Sequence, residues 1–86
     1  MSRQVTVYKS RKIAELYLYV DHAEGLARVP DELKARFGTP VEAMQLTLTP
    51  DRRLARADAA TVLNAIEKVG FYLQVPPRPE AQDPPT

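Results

Sequence analysis

Apolar and polar residues alternate with period two from the start of the chain. In Gln4-Val5-Thr6-Val7-Tyr8-Lys9 the pattern predicts a half-buried strand, and Ser10-Arg11-Lys12 reads as the turn that ends it. Glu15-Leu16-Tyr17-Leu18-Tyr19-Val20 is almost continuously apolar or aromatic, so both faces of this second strand need cover and it belongs in the middle of a sheet. The short link between the two predicts a hairpin. A polar loop, Asp21 to Ala27, leads to a helix that opens near Pro30, with Asp31 and Glu32 at its positive end and Val29, Leu33 and Phe37 on one stripe. Gly38 and Pro40 stop it. In Ala43-Met44-Gln45-Leu46-Thr47-Leu48-Thr49 the pattern returns to alternation. It predicts a strand with Met44, Leu46 and Leu48 inward, ended by Pro50.

A second helix follows, with Asp58 as N-cap, Ala59, Val62, Leu63, Ile66 and Val69 as its apolar stripe, and Gly70 as its stop. Phe71 to Val75 forms a last short strand. The order is β-β-α-β-α-β, an α+β fold with a small, mainly antiparallel sheet flanked by two helices. The apolar density of the second strand predicts one helix on each face. The half-polar third strand suits a sheet edge, where pairing with a second copy is conceivable.

Composition narrows the organisation. The 86 residues suffice for one domain. Residues 1–75 form that domain. Five of the eight prolines fall in residues 76–86, a tail expected to be extended or disordered. There is no cysteine, which excludes disulfides, thiolate-bound zinc and thiol catalysis, and a single histidine excludes a multi-histidine metal site. No apolar run approaches the roughly 20 residues of a membrane span, and no export signal is evident, so the expected compartment is the cytoplasm. No cofactor or metal is expected.

Candidate chemistry is sparse. His22 lies in the polar loop near Asp21 and Glu24, without a defined geometry, and reads as a solvated histidine. Neither Ser2 nor Ser10 sits in a nucleophile-elbow sequence, and three glycines cannot build a phosphate-cradling loop. The carboxylates are scattered, and nothing nominates a catalytic pair. A small-substrate enzyme would need an enclosed pocket with convergent acids.

The net charge of +1 conceals an uneven distribution. Arg3, Lys9, Arg11 and Lys12 give the first twelve residues +4, and Arg52, Arg53 and Arg56 against Asp51 give the 50–56 loop +2. If these segments meet at one end of the sheet, Arg11, Lys12, Arg52, Arg53 and Arg56 make a basic patch beside exposed tyrosine, suited to RNA or single-stranded nucleic acid. Turns of soluble proteins also carry lysine and arginine with no such role. Four tyrosines against two phenylalanines give most of the aromatic surface a polar tip, which suits either an interface or a sheet face covered by a helix. Pro76-Pro77-Arg78-Pro79 could dock in an aromatic groove or pack back on its own domain.

The ordered series Leu16-Tyr17-Leu18-Tyr19-Val20, Arg28-Val29-Pro30-Asp31-Glu32-Leu33, Phe37-Gly38-x-Pro40, Ala43-Met44, Arg56-Ala57-Asp58 and Gly70-Phe71-Tyr72-Leu73-Gln74-Val75-Pro76-Pro77 resembles the YcgL family of small uncharacterised bacterial proteins. The resemblance spans about residues 5 to 80. It implies an α/β sandwich with helices flanking a small antiparallel sheet, and brings no catalytic residues with it. The chain ends sooner after its Pro-Pro motif than longer members do. The leading expectation is a non-enzymatic, cytoplasmic protein-interaction module contacting an unknown protein through Tyr72, Pro76, Pro77 and Arg78, with Arg28. The alternative is nucleic-acid binding through the basic loops.

Overall fold

Alternation in β1 (Arg3–Ser10) sends Val5 and Val7 to one face and Thr6 to the other, and all three are buried. β1 pairs antiparallel with β2 (Tyr17–Asp21) on one side and with β3 (Pro40–Leu48) on the other. β4 (Phe71–Gln74) pairs antiparallel with β2, giving the order β3-β1-β2-β4. The computed structural model that shows this describes residues 2–54 and 57–76. Two helices complete the fold, α1 (Asp31–Phe37) and α2 (Ala59–Val69).

The sheet carries a separate apolar layer on each face. Leu16, Leu18 and Val20 bury against Val29 and Phe37 on the α1 side. Val5, Val7, Tyr19, Leu46 and Leu48 bury against Ala59, Val62, Leu63 and Ile66 of α2 on the other. The apolar second strand is therefore central and covered by a helix on each face, as its composition predicts.

Boundaries differ from the sequence expectation in physically instructive places. Glu15 takes a positive φ of 63°, so the extended pairing starts only at Tyr17. Pro40 opens β3 as well as blocking the preceding helix. Pro30 is the N-cap of α1, one position before the first helical residue. β3 contains a bulge: Val7 faces Met44 and Tyr8 faces Glu42, which leaves Ala43 without a partner. Met44, expected in the core, is 54% exposed. Val69, placed on the apolar stripe of α2, is likewise exposed.

Side chains tie the elements together. Ser10 is buried; its hydroxyl donates to the Phe37 carbonyl at 2.6 Å and accepts from the Lys12 and Ile13 amides, so one residue anchors the hairpin turn to the end of α1. Arg3 bridges Asp21 at 3.0 Å and Glu67 at 2.9 Å, joining β1, β2 and α2. Asp58 caps α2 by accepting from the Thr61 amide at 3.0 Å. At the other end Gly70 is left-handed (φ 93°, ψ −1°), and its N–H reaches the Ala65 and Ile66 carbonyls. Arg28 lies directly over Gly70, with its Cβ only 2.5 Å from where a β-carbon at that position would stand.

Tyr19 sits in the α2-side core, edge-on to Tyr72 with ring centroids 5.9 Å apart. Its hydroxyl donates to Gln74 Oε1 at 3.1 Å. Burial, reinforced by Tyr72 and then Tyr17, pushes this hydroxyl above the usual 10.0.

Two stability measurements check these features. Gly70→Ala should lose about 1–3 kcal/mol to backbone strain, with the Arg28 contact adding to the loss. Gly25→Ala, also at positive φ but with nothing within 4 Å of the added carbon, should lose only the conformational part, about 1–2 kcal/mol. Equal losses in urea titrations would refute the close approach of Arg28. For Tyr19, the folded state keeps a proton that the unfolded chain has released above pH 10.0. The stability this provides is complete below that pH and disappears as pH rises through the folded value. Tyr19→Phe should therefore be less stable at neutral pH by about 1–3 kcal/mol, because Gln74 loses its partner. It should also lose less stability than the parent between about pH 9 and 11. Parallel pH–stability curves would contradict the buried, protonated hydroxyl.

Candidate functional site

α2 does not cover its whole side of the sheet. Beyond it, on the same face, lies a half-open hollow of about 650 Å³. Val7, Tyr19, Leu46 and Leu54 supply apolar surface, and the half-buried Tyr17 and exposed Met44 stand beside them. Lys9, Arg52 and Arg53 bring positive charge to its lining. Gln74, only 9% exposed, also lines it. A second hollow adjoins the first through their shared residues Lys9, Glu15 and Tyr17, and Arg11 belongs to it.

The register explains this assembly. Lys9 faces Tyr17 across the β1–β2 ladder, and Tyr17 faces Gln74 across the β2–β4 ladder, so the three form a row on one face. The loop after β3 then brings in Arg52 and Arg53. An Arg52 amide bond to the Thr49 carbonyl at 3.0 Å closes the turn, and an isolated bridge between Arg53 and Asp58 holds the loop to the start of α2. Asp51 in the same loop is held below the usual carboxylate range by the Thr49 hydroxyl, at 2.7 Å, and by its own backbone N–H.

Among the described residues, Lys9, Arg11, Arg52 and Arg53 form no ion pair, whereas Arg3, Arg28 and Lys34 do. Arg52 makes only a long contact, 3.4 Å, to the Thr47 carbonyl. Among the described residues, Glu15 is the one acid lining either hollow.

The structure thus brings Arg52 and Arg53 to one hollow and Arg11 to its neighbour. Lys12 lies apart, with its side-chain stem packed beside Gly38. Sequence reading missed Lys9, Gln74 and Met44 as neighbours of this patch. Lys9 was visible as a charge at the period-two position that Tyr17 must face, but Gln74 required knowledge that β4 pairs with β2.

The proposed protein-contact residues are dispersed and mostly engaged. Tyr72 is half-buried against Tyr19. Arg28 donates to the Lys68 carbonyl at 3.2 Å and pairs with Glu24 at 3.6 Å, which ties the loop before α1 to the end of α2. Pro76 is half-buried at the end of β4. Arg56, Pro77 and Arg78 lie outside the described residues, as does most of the tail. His22 is exposed, yet its Nδ1 shares a 2.8 Å hydrogen bond with the buried Thr6 hydroxyl. No helix among the described residues is long and apolar enough to cross a membrane.

Comparison with known proteins agrees with the resemblance drawn from the residue series. The YcgL domain model matches residues 5–77. A YcgL domain-containing protein of Pseudomonas aeruginosa is 54% identical over 80 residues, covering 93% of this chain and 82% of the relative. One from Pseudomonas putida is 52% identical over 77 residues, covering 90% and 79%. Another, from Ectopseudomonas mendocina, is 49% identical over 80 residues, with 93% and 82% covered. With the antiparallel sheet and its two flanking helices in place, these matches show that the chain belongs to the YcgL family.

Proposed function

We propose that this protein is a non-enzymatic, cytoplasmic module that binds single-stranded nucleic acid, RNA in the first place, across the two adjoining hollows. One observation carries the reading: four cations that form no ion pair among the described residues, Lys9, Arg11, Arg52 and Arg53, line the two hollows against a single described acid, Glu15, around a surface of Tyr17, Met44 and Leu54. A single strand offers the two complementary parts, phosphates for the cations and flat bases for the aromatic and apolar surface. The volume falls within the range of about 300–1,000 Å³ typical of small-ligand sites, so one base fits, while the adjoining hollow gives the strand room to continue. Contact with a protein through Tyr72 and Arg28 has less support, because the ring of one and the guanidinium of the other already have partners within the fold.

Fluorescence anisotropy with a labelled RNA oligomer tests the proposal. Binding should appear at low salt and weaken about 20- to 50-fold between about 50 and 200 mM salt, the dependence expected for three or four neutralised phosphates on a single strand. Arg52→Ala and Arg53→Ala should each weaken binding and make the salt dependence shallower. Lys34→Ala, whose charge sits on α1 beside Asp31, should leave both unchanged. Absence of binding at low salt, or equal binding by all variants, would overturn the proposal.

A further inference from the structure

Tyr17 is placed differently from the other tyrosines of its face. Tyr19 and Tyr72 hold each other edge-on, and the Tyr19 hydroxyl is committed to Gln74. Tyr17 packs against the α2-side core and is half-buried. Yet among the described residues its ring makes no aromatic contact and its hydroxyl no hydrogen bond. It lines both hollows, and among the described residues only Lys9 and Glu15 share that position with it. These three side chains form the boundary between a first hollow of about 650 Å³ and a second of about 510 Å³. The ladder fixes how Lys9 and Tyr17 stand. The Ser10 amide bonds to the Leu16 carbonyl and the His22 amide to the Gln4 carbonyl, so the even-numbered residues of β1 turn their backbone groups to β2. Lys9 and Tyr17 face each other between those bonds, as a non-hydrogen-bonded pair, the kind whose side chains approach most closely.

We infer that Lys9 and Tyr17 together hold one nucleotide step: two successive bases lie in the two hollows on either side of Tyr17, and Lys9 neutralises the phosphodiester that joins them. This inference rests on the nucleic-acid reading above and sets the smallest complete ligand, a dinucleoside monophosphate. Every base has a flat face, so a tyrosine ring at the boundary stacks with any of them and imposes no sequence preference. Of the two charged residues at the boundary, Glu15 repels a phosphate and Lys9 attracts one, so the linkage runs past Lys9. The remaining cations fall in a matching order. Arg52 and Arg53 line the first hollow and Arg11 the second, so positive charge meets the strand at the shared step and on either side of it. A mononucleotide, with one base, fills only one of the hollows.

The test titrates the isotope-labelled full chain with the dinucleoside monophosphate UpU and with uridine monophosphate, followed by NMR at low salt. Charge alone favours the mononucleotide, which carries about two negative charges against one. UpU should nevertheless bind about tenfold more tightly, the worth of one further stacked base. It should shift the amides of Met44 and Leu54 in the first hollow together with those of Arg11 and Ala14 in the second. Tyr17→Leu should abolish the advantage of UpU, and Tyr17→Phe, which keeps the ring, should retain it. With a labelled RNA oligomer, Lys9→Ala should lower the salt slope by about 0.7, one phosphate of a single strand, whereas Tyr17→Leu should weaken binding and leave the slope intact. Circular dichroism establishes that each variant is folded, and the comparison of the two small ligands on the parent protein needs no variant. If the oligomer binds but UpU is no tighter than the mononucleotide, or neither small ligand binds at millimolar concentration, or UpU shifts the amides of one hollow only, the inference fails and the nucleic-acid reading survives. If the oligomer does not bind the parent protein at low salt, both fail.

Discussion

A two-sided sheet covered by two short helices is the constraint from which the rest of this structure follows. The central strands β1 and β2 bury side chains on both faces, so each face needs a lid. α2 has 11 residues and is about 16 Å long. β3 has nine residues and runs about 30 Å. One such helix shields Leu46, Leu48, Val62 and Ile66 and then runs out of length. The sheet continues beyond it, and the residues that continue, Lys9, Tyr17, Met44 and Gln74, are those a half-covered surface can hold. α1 is shorter still, and on its side the polar residues Glu42, Gln45 and Thr47 of β3 stand exposed. The hollow is therefore a consequence of element lengths.

Charge is distributed according to the same division. Where two elements must be held together, arginine is paired: Arg3 spans β1, β2 and α2, and Arg28 spans the loop before α1 and the end of α2. Arg28 also shows why pairing energy alone is a poor guide. Its ion pair with Glu24 is exposed, worth about 1 kcal/mol at most, and its larger contribution is the stem that packs over Gly70 and the bond to the Lys68 carbonyl. Around the hollow the cations have no such duty. Lining the hollows with Lys9, Arg11, Arg52 and Arg53 against one described acid, Glu15, adds mutual repulsion, a local cost that a bound polyanion would reverse.

The sequence carried the element order because its signals are local. Asp58 and Gly70 bracket α2 through bonds made within a few residues, and the apolar density of β2 reports burial on both faces whatever covers them. The residues that were misjudged depend on distant partners. Met44 follows the alternation of an inward-facing residue, and it does lie on the α2 side, but no helix reaches it. The packing of Arg28, a candidate protein contact in the sequence, over Gly70 likewise joins positions far apart in the chain. The hydrogen bond between Tyr19 and Gln74 joins residues 55 positions apart and depends on the β2–β4 register, which no local pattern encodes. Of the candidate site, the charges were legible and their convergence was conditional. The polar floor was not legible at all.

That polar floor argues against regarding the hollow as mere incomplete packing. A core left partly open by a short helix is most stable when the exposed remainder is simply polar, or when a bulky apolar side chain closes over it. Neither holds here. Tyr19 and Gln74 place a hydrogen-bonded pair at the boundary between core and hollow, beside a buried layer built mainly from valine and leucine. A phenylalanine and a leucine of similar size would fill those positions without needing partners. Instead a tyrosine hydroxyl is desolvated and a methionine stands exposed where no helix reaches. Both fall on one side of one face, beside Lys9, Arg52 and Arg53. Local rules broken together at a single place, while the rest of the fold obeys them, are the pattern expected where a surface is shaped for a ligand rather than for stability.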